Sequence, residues 1–173
     1  SIQSGIEIAE SEISRGADIL ATGDMGIGNT TTSAAVACAL MKQSPESVTG
    51  RGTGVDDDGL KRKIHVITRA LKINKPNADD ALDVLEKVGG FEIGGLAGVM
   101  LASAANRKPV VIDGFISTAA AMIAAALAPA VHDYMIAAHV SQERGHAMML
   151  EWLGLKPLLD LNLRLGEGTG AAL

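Results

Sequence analysis

The sequence predicts an α/β fold: a doubly wound, mostly parallel sheet with helices on both faces, Rossmann-like in outline. Two observations carry this expectation. Short β-prone apolar runs ("GADILATG", "KPVVIDGF", "DYMIAAHVS") alternate with longer, often Ala-rich helical segments, and strands separated by helices pair in parallel through right-handed crossovers. The first run also leads through a glycine-rich turn, "GDMGIGNTT", directly into the helical stretch "TTTSAAVACALMK", a strand–turn–helix order typical of such sheets.

The chain opens with an amphipathic helix, "SIQSGIEIAESEISRGADI", which carries four acids instead of the basic end and apolar run of a secretory signal. After the first strand and its helix, Pro45 with Gly50, Gly52 and Gly54 predicts a loop. Asp56, Asp57 and Asp58 then start a helix whose Leu60, Ile64, Ile67 and Leu71 share one stripe. "KPNADDALDVLEKVGG" reads as a second helix stopped by Gly89 and Gly90, and "FEIGGLAGVMLASAANR" as a third, with Gly94, Gly95 and Gly98 allowing close packing. A buried strand ends at Asp113, a buried Ala-rich helix follows, and "DYMIAAHVS" forms the next strand before a helix closed by Gly154. The last apolar segment, "LLDLNLRL", runs into "RLGEGTG". Ligands of doubly wound sheets bind past the carboxyl ends of the strands. Four loops should therefore share one rim: those of Asp24, Asp113, Ser141 and "RLGEGTG".

With 173 residues the chain suffices for one domain with a real core. A net charge of −5, no basic stripe and few aromatic residues argue against nucleic acid as a partner. The run "GFISTAAAMIAAALAPAV" is too weakly apolar to span a bilayer and reads as a buried helix, so no membrane association is expected. A single cysteine, Cys38, in an apolar helix reads as a small buried hydrophobe, consistent with a reducing, cytoplasmic setting. The first residue is not Met and "GTGAAL" stops after barely one helical turn, so the chain reads as a fragment of a larger one. Hydrophobic residues make up 47% of it, which suggests that some of its surface is covered by absent chain or by another subunit.

The glycine-rich turn poses a chemical puzzle. Its glycines and the unpaired amides of the following helix suit an anion, yet Asp24 would repel one. A Walker loop needs Lys where Asn29 stands, and a dinucleotide fingerprint needs a small residue at Thr31. Neither matches; the simplest alternative is a tight turn capped by Asn29 or Thr30. The three aspartates fail as a calcium loop because His65 stands where an acid is required, and they fit a helix cap better. No zinc-like spacing links the four histidines, although His139 lies on the rim. By itself Lys63 is a solvated helix charge and Ser141 a helix cap, while Glu167 between Gly166 and Gly168 suits either a cap or a general base.

Taken together, "GDMGIGNTT", "GRGTGVDDDGLKRK", "DALDVLEKVGGFEI", "VVIDGFISTAAA", "AAHVSQERGH" and "LGEGTGAAL" closely resemble the nicotinate-nucleotide:dimethylbenzimidazole phosphoribosyltransferases of cobalamin biosynthesis, from about Ala17 to Leu173. The resemblance implies that residues 1–173 form a partial nucleotide-binding domain, lacking an upstream base-pocket portion and C-terminal helices. It implies transfer of the phosphoribosyl group of nicotinate mononucleotide to dimethylbenzimidazole, with Glu167 as general base. Lys63 and Ser141 match phosphate-binding positions, the turn from Gly26 through Gly28 and Asn29 to Thr30 supplies backbone donors, and Leu165 walls the base pocket. Asp24, where most of the family carries glutamate, would face the cationic pyridinium, so opposite charges on one substrate resolve the puzzle. The resemblance further implies no cofactor, no metal and a homodimer. Transfer to another acceptor (adenine, a phenol, another benzimidazole) and a non-catalytic phosphosugar-binding paralogue stay open as alternatives.

Overall fold

A computed structural model describes residues 1–52 and 54–173. Strands β1 (Leu20–Ala21), β2 (Val110–Ile112) and β3 (Met135–Ala137) form a parallel sheet in that order, and β4 (His139–Ser141) and β5 (Leu159–Leu163) form a second parallel pair. The parallel α/β class expected from the alternation is the one adopted. Where the sequence suggests one strand over "DYMIAAHVS", the structure divides it at Ala138. The N–H of Ala138 donates to the Ile112 carbonyl and its own carbonyl accepts from Leu159 N–H, both at 2.9 Å. One extended segment therefore joins both pairs.

Parallel neighbours require long crossovers, and helices supply them. They are α1 (Ile2–Ser14), α2 (Asn29–Met41), α3 (Pro45–Val48), α4 (Asp57–Asn74), α5 (Ala81–Val88), α6 (Phe91–Ala105), α7 (Phe115–Leu127), α8 (His146–Leu153) and α9 (Thr169–Ala172). The core centres on α2, buried from Ser33 to Leu40, and α7, buried from Phe115 to Ala124. Over these stretches both helices are buried on every side and made mostly of small and apolar residues, as interior helices are. Each fully buried side chain such as Ile67, Ile93 or Met100 contributes about 1.5–3 kcal/mol. Among the described residues no helix is long and apolar enough to cross a membrane.

Local sequence explains where helices start and stop. Asp56 caps α4 by accepting the Gly59 N–H at 2.7 Å, so the aspartates serve the helix end as expected. Of the stripe on α4, Ile67 is buried and Leu60, Ile64 and Leu71 are half-buried. Part of the expected loop is instead the one-turn α3, because Pro45 at its first position is already set for a helix. The α6 glycines bring that helix against α1: a Cβ on Gly5 would overlap the Gly95 carbonyl, and one on Gly98 the Ile2 carbonyl.

Candidate functional site

Between β1 and α2 the chain turns through Gly23–Gly28, and the structure corrects the expected cap. Gly28, with φ 81°, precedes α2 and no side chain caps it; neither Asn29 nor Thr30 has that role. The Asn29 amide instead folds back and donates to the Asp24 carboxylate at 2.7 Å. Gly26 makes this possible, since a Cβ there would overlap the Asn29 side chain. Asp24 is half-buried, and its carboxyl is pushed above the usual range chiefly by desolvation, with the neighbouring charges of Asp113, Glu92 and Glu167 adding to this against the Asn29 bond. The region around it is therefore electronegative.

Lys63, on α4, reaches across to α2. Its ammonium donates to Thr30 Oγ1 at 2.6 Å and to the Gly50 carbonyl at 3.2 Å. Burial lowers its proton affinity, and the Glu143 carboxylate opposes that shift. Lys63 is thus a held cation beside the turn.

Ser141 closes β4 and does not cap α8, whose N-cap is Gly145. Its Oγ accepts from the Glu143 N–H at 3.3 Å, and its own N–H donates to His146 Nδ1 at 2.7 Å. With Nδ1 accepting, the proton of neutral His146 lies on Nε2, which donates to Thr118 Oγ1 at 2.8 Å. Burial, reinforced by nearby His139, drives the His146 pKa down to about 3. This neutral ring fixes the backbone of the Ser141 loop.

Glu167 stands in a left-handed turn: Gly166, Glu167 and Gly168 have φ of 75°, 59° and 81°. Its side chain is exposed. Below it the Asp113 carboxylate, 1% exposed, accepts from the N–H groups of Gly168, Gly170 and Ala171 at 3.0, 2.7 and 3.2 Å. Leu165, at 67% exposure, borders the same opening.

These loops enclose a cleft of about 480 Å³ lined by Asp24, Gly26, Asn29, Thr30, Ser141, Leu165 and Glu167 together with Asp113, His139, Glu143 and Arg164. The four expected loops thus share one rim. Lys63 borders it through Thr30 and Gly52, and Gly28 lies on the adjoining groove between α1, α5 and α6. Met25, Ile27 and Phe91 are exposed along that groove. The cleft carries acids around Asp24 and cations at Lys63 and Arg164, so it suits a small molecule with both charges. Cys38 is buried, and desolvation first, then Glu46, push its thiol up to about 12, which rules out a thiolate nucleophile.

Sequence reasoning placed the loop of Asp113 on the rim without giving that side chain a role, and it overlooked Glu143 and Arg164 as members of the site. An acid ending a buried apolar strand was the available signal for Asp113. Glu143 and Arg164 lie within quoted motifs but look like ordinary surface charges.

A family model described as phosphoribosyltransferase matches residues 1–173, including the sixteen residues before the expected start at Ala17. The chain is 64% identical over 172 residues to a nicotinate-nucleotide–dimethylbenzimidazole phosphoribosyltransferase of Desulforudis audaxviator, covering 99% of this chain and 49% of the relative. It is 63% identical over 169 residues to the Chloroflexus aurantiacus protein of the same name, covering 98% of this chain and 48% of the relative. The crystal structure of CobT from Thermus thermophilus superposes with a TM-score of 0.95 at 49% identity, covering 99% of this chain and 51% of that one. The chain therefore spans about half the length of the relatives that it matches.

Proposed function

Since the chain belongs to the nicotinate-nucleotide–dimethylbenzimidazole phosphoribosyltransferase family, we propose that the full-length protein moves the phosphoribosyl group of nicotinate mononucleotide onto dimethylbenzimidazole in cobalamin biosynthesis. Residues 1–173 supply the nucleotide-binding half of the site. The observation that carries this reading is the convergence of Asp24, Ser141, Leu165 and Glu167 on one cleft, with Lys63 bonded to Thr30 at its edge.

The chemistry follows from the charges. The imine nitrogen of the benzimidazole attacks the ribose C1′, forming a new C–N bond with inversion from β to α. The old bond to the pyridinium breaks, and its electron pair goes to the leaving nicotinate nitrogen. The proton on the other ring nitrogen passes to the Glu167 carboxylate as positive charge grows on the nucleophile. Asp24, with Glu167, Asp113 and Glu92 near enough to raise its proton affinity, favours the pyridinium and the cationic sugar of the transition state. Lys63, the Ser141 loop and the Gly26–Thr30 turn hold the phosphate; Leu165 packs on the base. The protein acts on small molecules as a cytoplasmic homodimer.

Incubation of full-length protein with both substrates, followed by chromatography, tests the proposal. Nicotinate and α-ribazole phosphate should appear together, and Glu167→Gln should lower turnover by about 10²–10⁴ with folding intact. Nucleotide binding without nicotinate release would point to a non-catalytic paralogue. Wild-type turnover in Glu167→Gln would reject the assigned base, and parallel runs with adenine and phenol rank the acceptors.

A further inference from the structure

Asp113 lines the cleft, yet its buried carboxylate is engaged by the protein's own backbone. Its side chain, 1% exposed, accepts three backbone N–H groups, all from the segment immediately after Glu167. Its own N–H donates to Thr22 Oγ1 at 3.3 Å, and that hydroxyl donates to the Val111 carbonyl at 3.1 Å. Asp113 therefore ties the end of β2 both to the strand that precedes Asp24 and to the turn that carries Glu167. The two loops also meet directly, because a Cβ on Gly23 would overlap the backbone of Glu167 and Gly168.

The turn needs such a restraint. Three successive residues have left-handed backbones, and the middle one is a glutamate with φ 59°. A side chain with a Cβ disfavours that region, so an unrestrained turn would relax and carry the Glu167 carboxylate elsewhere. The Glu167 side chain has no protein hydrogen-bond partner among the described residues, so its backbone alone sets the point and direction from which it projects into the cleft. Within the turn the Thr169 N–H donates to the Gly166 carbonyl at 3.0 Å and the Ala172 N–H to the Gly168 carbonyl at 2.9 Å; the acceptors that tie the turn to the rest of the fold belong to Asp113.

We propose that Asp113 is a positioning residue: by clamping the amides of Gly168, Gly170 and Ala171 it holds Glu167 in its left-handed pose and at a fixed spacing from Asp24. This rests on Glu167 being the base. Asparagine at 113 keeps the size but offers one acceptor oxygen in place of two, leaving at least one amide of the turn unpaired. Displacing a reacting group by an ångström costs up to about 10² in rate.

A double-mutant cycle in the full-length enzyme tests this, with kcat and the KM for nicotinate mononucleotide measured for wild type, Asp113→Asn, Glu167→Gln and the pair. Asp113→Asn should lower kcat by up to about 10² and leave KM unchanged. In the Glu167→Gln background the same change should alter the residual rate by less than about twofold, because there is no base left to misplace. A folded Asp113→Asn enzyme with wild-type kcat, a loss confined to KM, or the same loss in both backgrounds would each overturn the inference. Wild-type turnover in Glu167→Gln alone would instead sink the base assignment. Should Asp113→Asn not fold, Gly166→Ala strains the same turn at φ 75° with no atom within 4 Å of the new Cβ. It should show the same kcat loss and the same dependence on Glu167, and full activity there overturns the need for a held turn.

Discussion

The Asn29 amide donates to the Asp24 carboxylate at 2.7 Å, so an acid in an anion-seeking turn is partly satisfied within the turn itself. The bond offsets only part of the desolvation, and the carboxyl still binds its proton more tightly than in the unfolded chain. The folded state thus holds a proton that the unfolded state has already released, and stability falls as pH rises from the ordinary aspartate value through the raised one. Asp24→Asn removes this penalty. It should raise Tm at pH 7 by about 1–2 °C, a small gain because the group is only half-buried, and the gain should vanish below about pH 4. Thermal melts from pH 4 to 8 measure it; a gain that grows as pH falls would contradict the assignment.

His146 has the opposite sign. Its imidazole is buried and neutral, with a pKa near 3, while the unfolded chain takes up a proton near 6.5. The stability that it confers is complete above that unfolded value and is lost as pH falls toward 3. Between those limits the loss approaches about 1.4 kcal/mol per pH unit. Urea unfolding from pH 7 to 4 should show this slope, and His146→Gln should flatten it by close to one proton even if it lowers stability at pH 7.

Much of this site could be read from the chain, for identifiable reasons. Asp24, Ser141 and Glu167 follow strand ends or glycine turns, and the rule that ligands gather past the carboxyl ends of parallel strands brings their loops together without coordinates. The Asn29 bond was not legible, because Asn at a helix start ordinarily caps it; only the missing Cβ of Gly26 lets the amide fold back. The clamp by Asp113 joins residues 55 to 58 positions apart, beyond any local pattern. The division of the third strand at Ala138 likewise depends on which neighbours each half meets. The sixteen residues of the family match before Ala17 were missed because α1 has a generic amphipathic pattern; its specificity lies in Gly5 facing α6.

Lys63 should govern binding more than chemistry. Its ammonium is held by Thr30 and Gly50 before any ligand arrives, so little ordering remains when a phosphate joins it. Lys63→Met should raise the KM for nicotinate mononucleotide by about 10–100-fold, the worth of one charged hydrogen bond, with kcat nearly unchanged. Lys63→Arg should recover little, because a forked guanidinium does not fit a point-charge site beside Gly52. Initial-rate kinetics separate these outcomes, and a fall in kcat at constant KM would place Lys63 at the reacting bond instead.

Gly26 and Gly28 look equivalent in "GDMGIGNTT" but fail differently when changed. Gly28 has φ 81° and open space around it, so Gly28→Ala meets only backbone strain, about 1–2 kcal/mol, and leaves the Asn29 bond in place. Gly26→Ala meets the Asn29 side chain itself and should expel that amide from Asp24. The Asp24 carboxyl then loses the one bond that lowers its proton affinity, and its pKa should rise further. Carboxyl titration by NMR should therefore show an upward shift of Asp24 in Gly26→Ala and none in Gly28→Ala, while chemical denaturation shows a stability loss in Gly28→Ala. Equal shifts in both variants would mean that the turn moves as one body and that Asn29 is not the separate partner of Asp24.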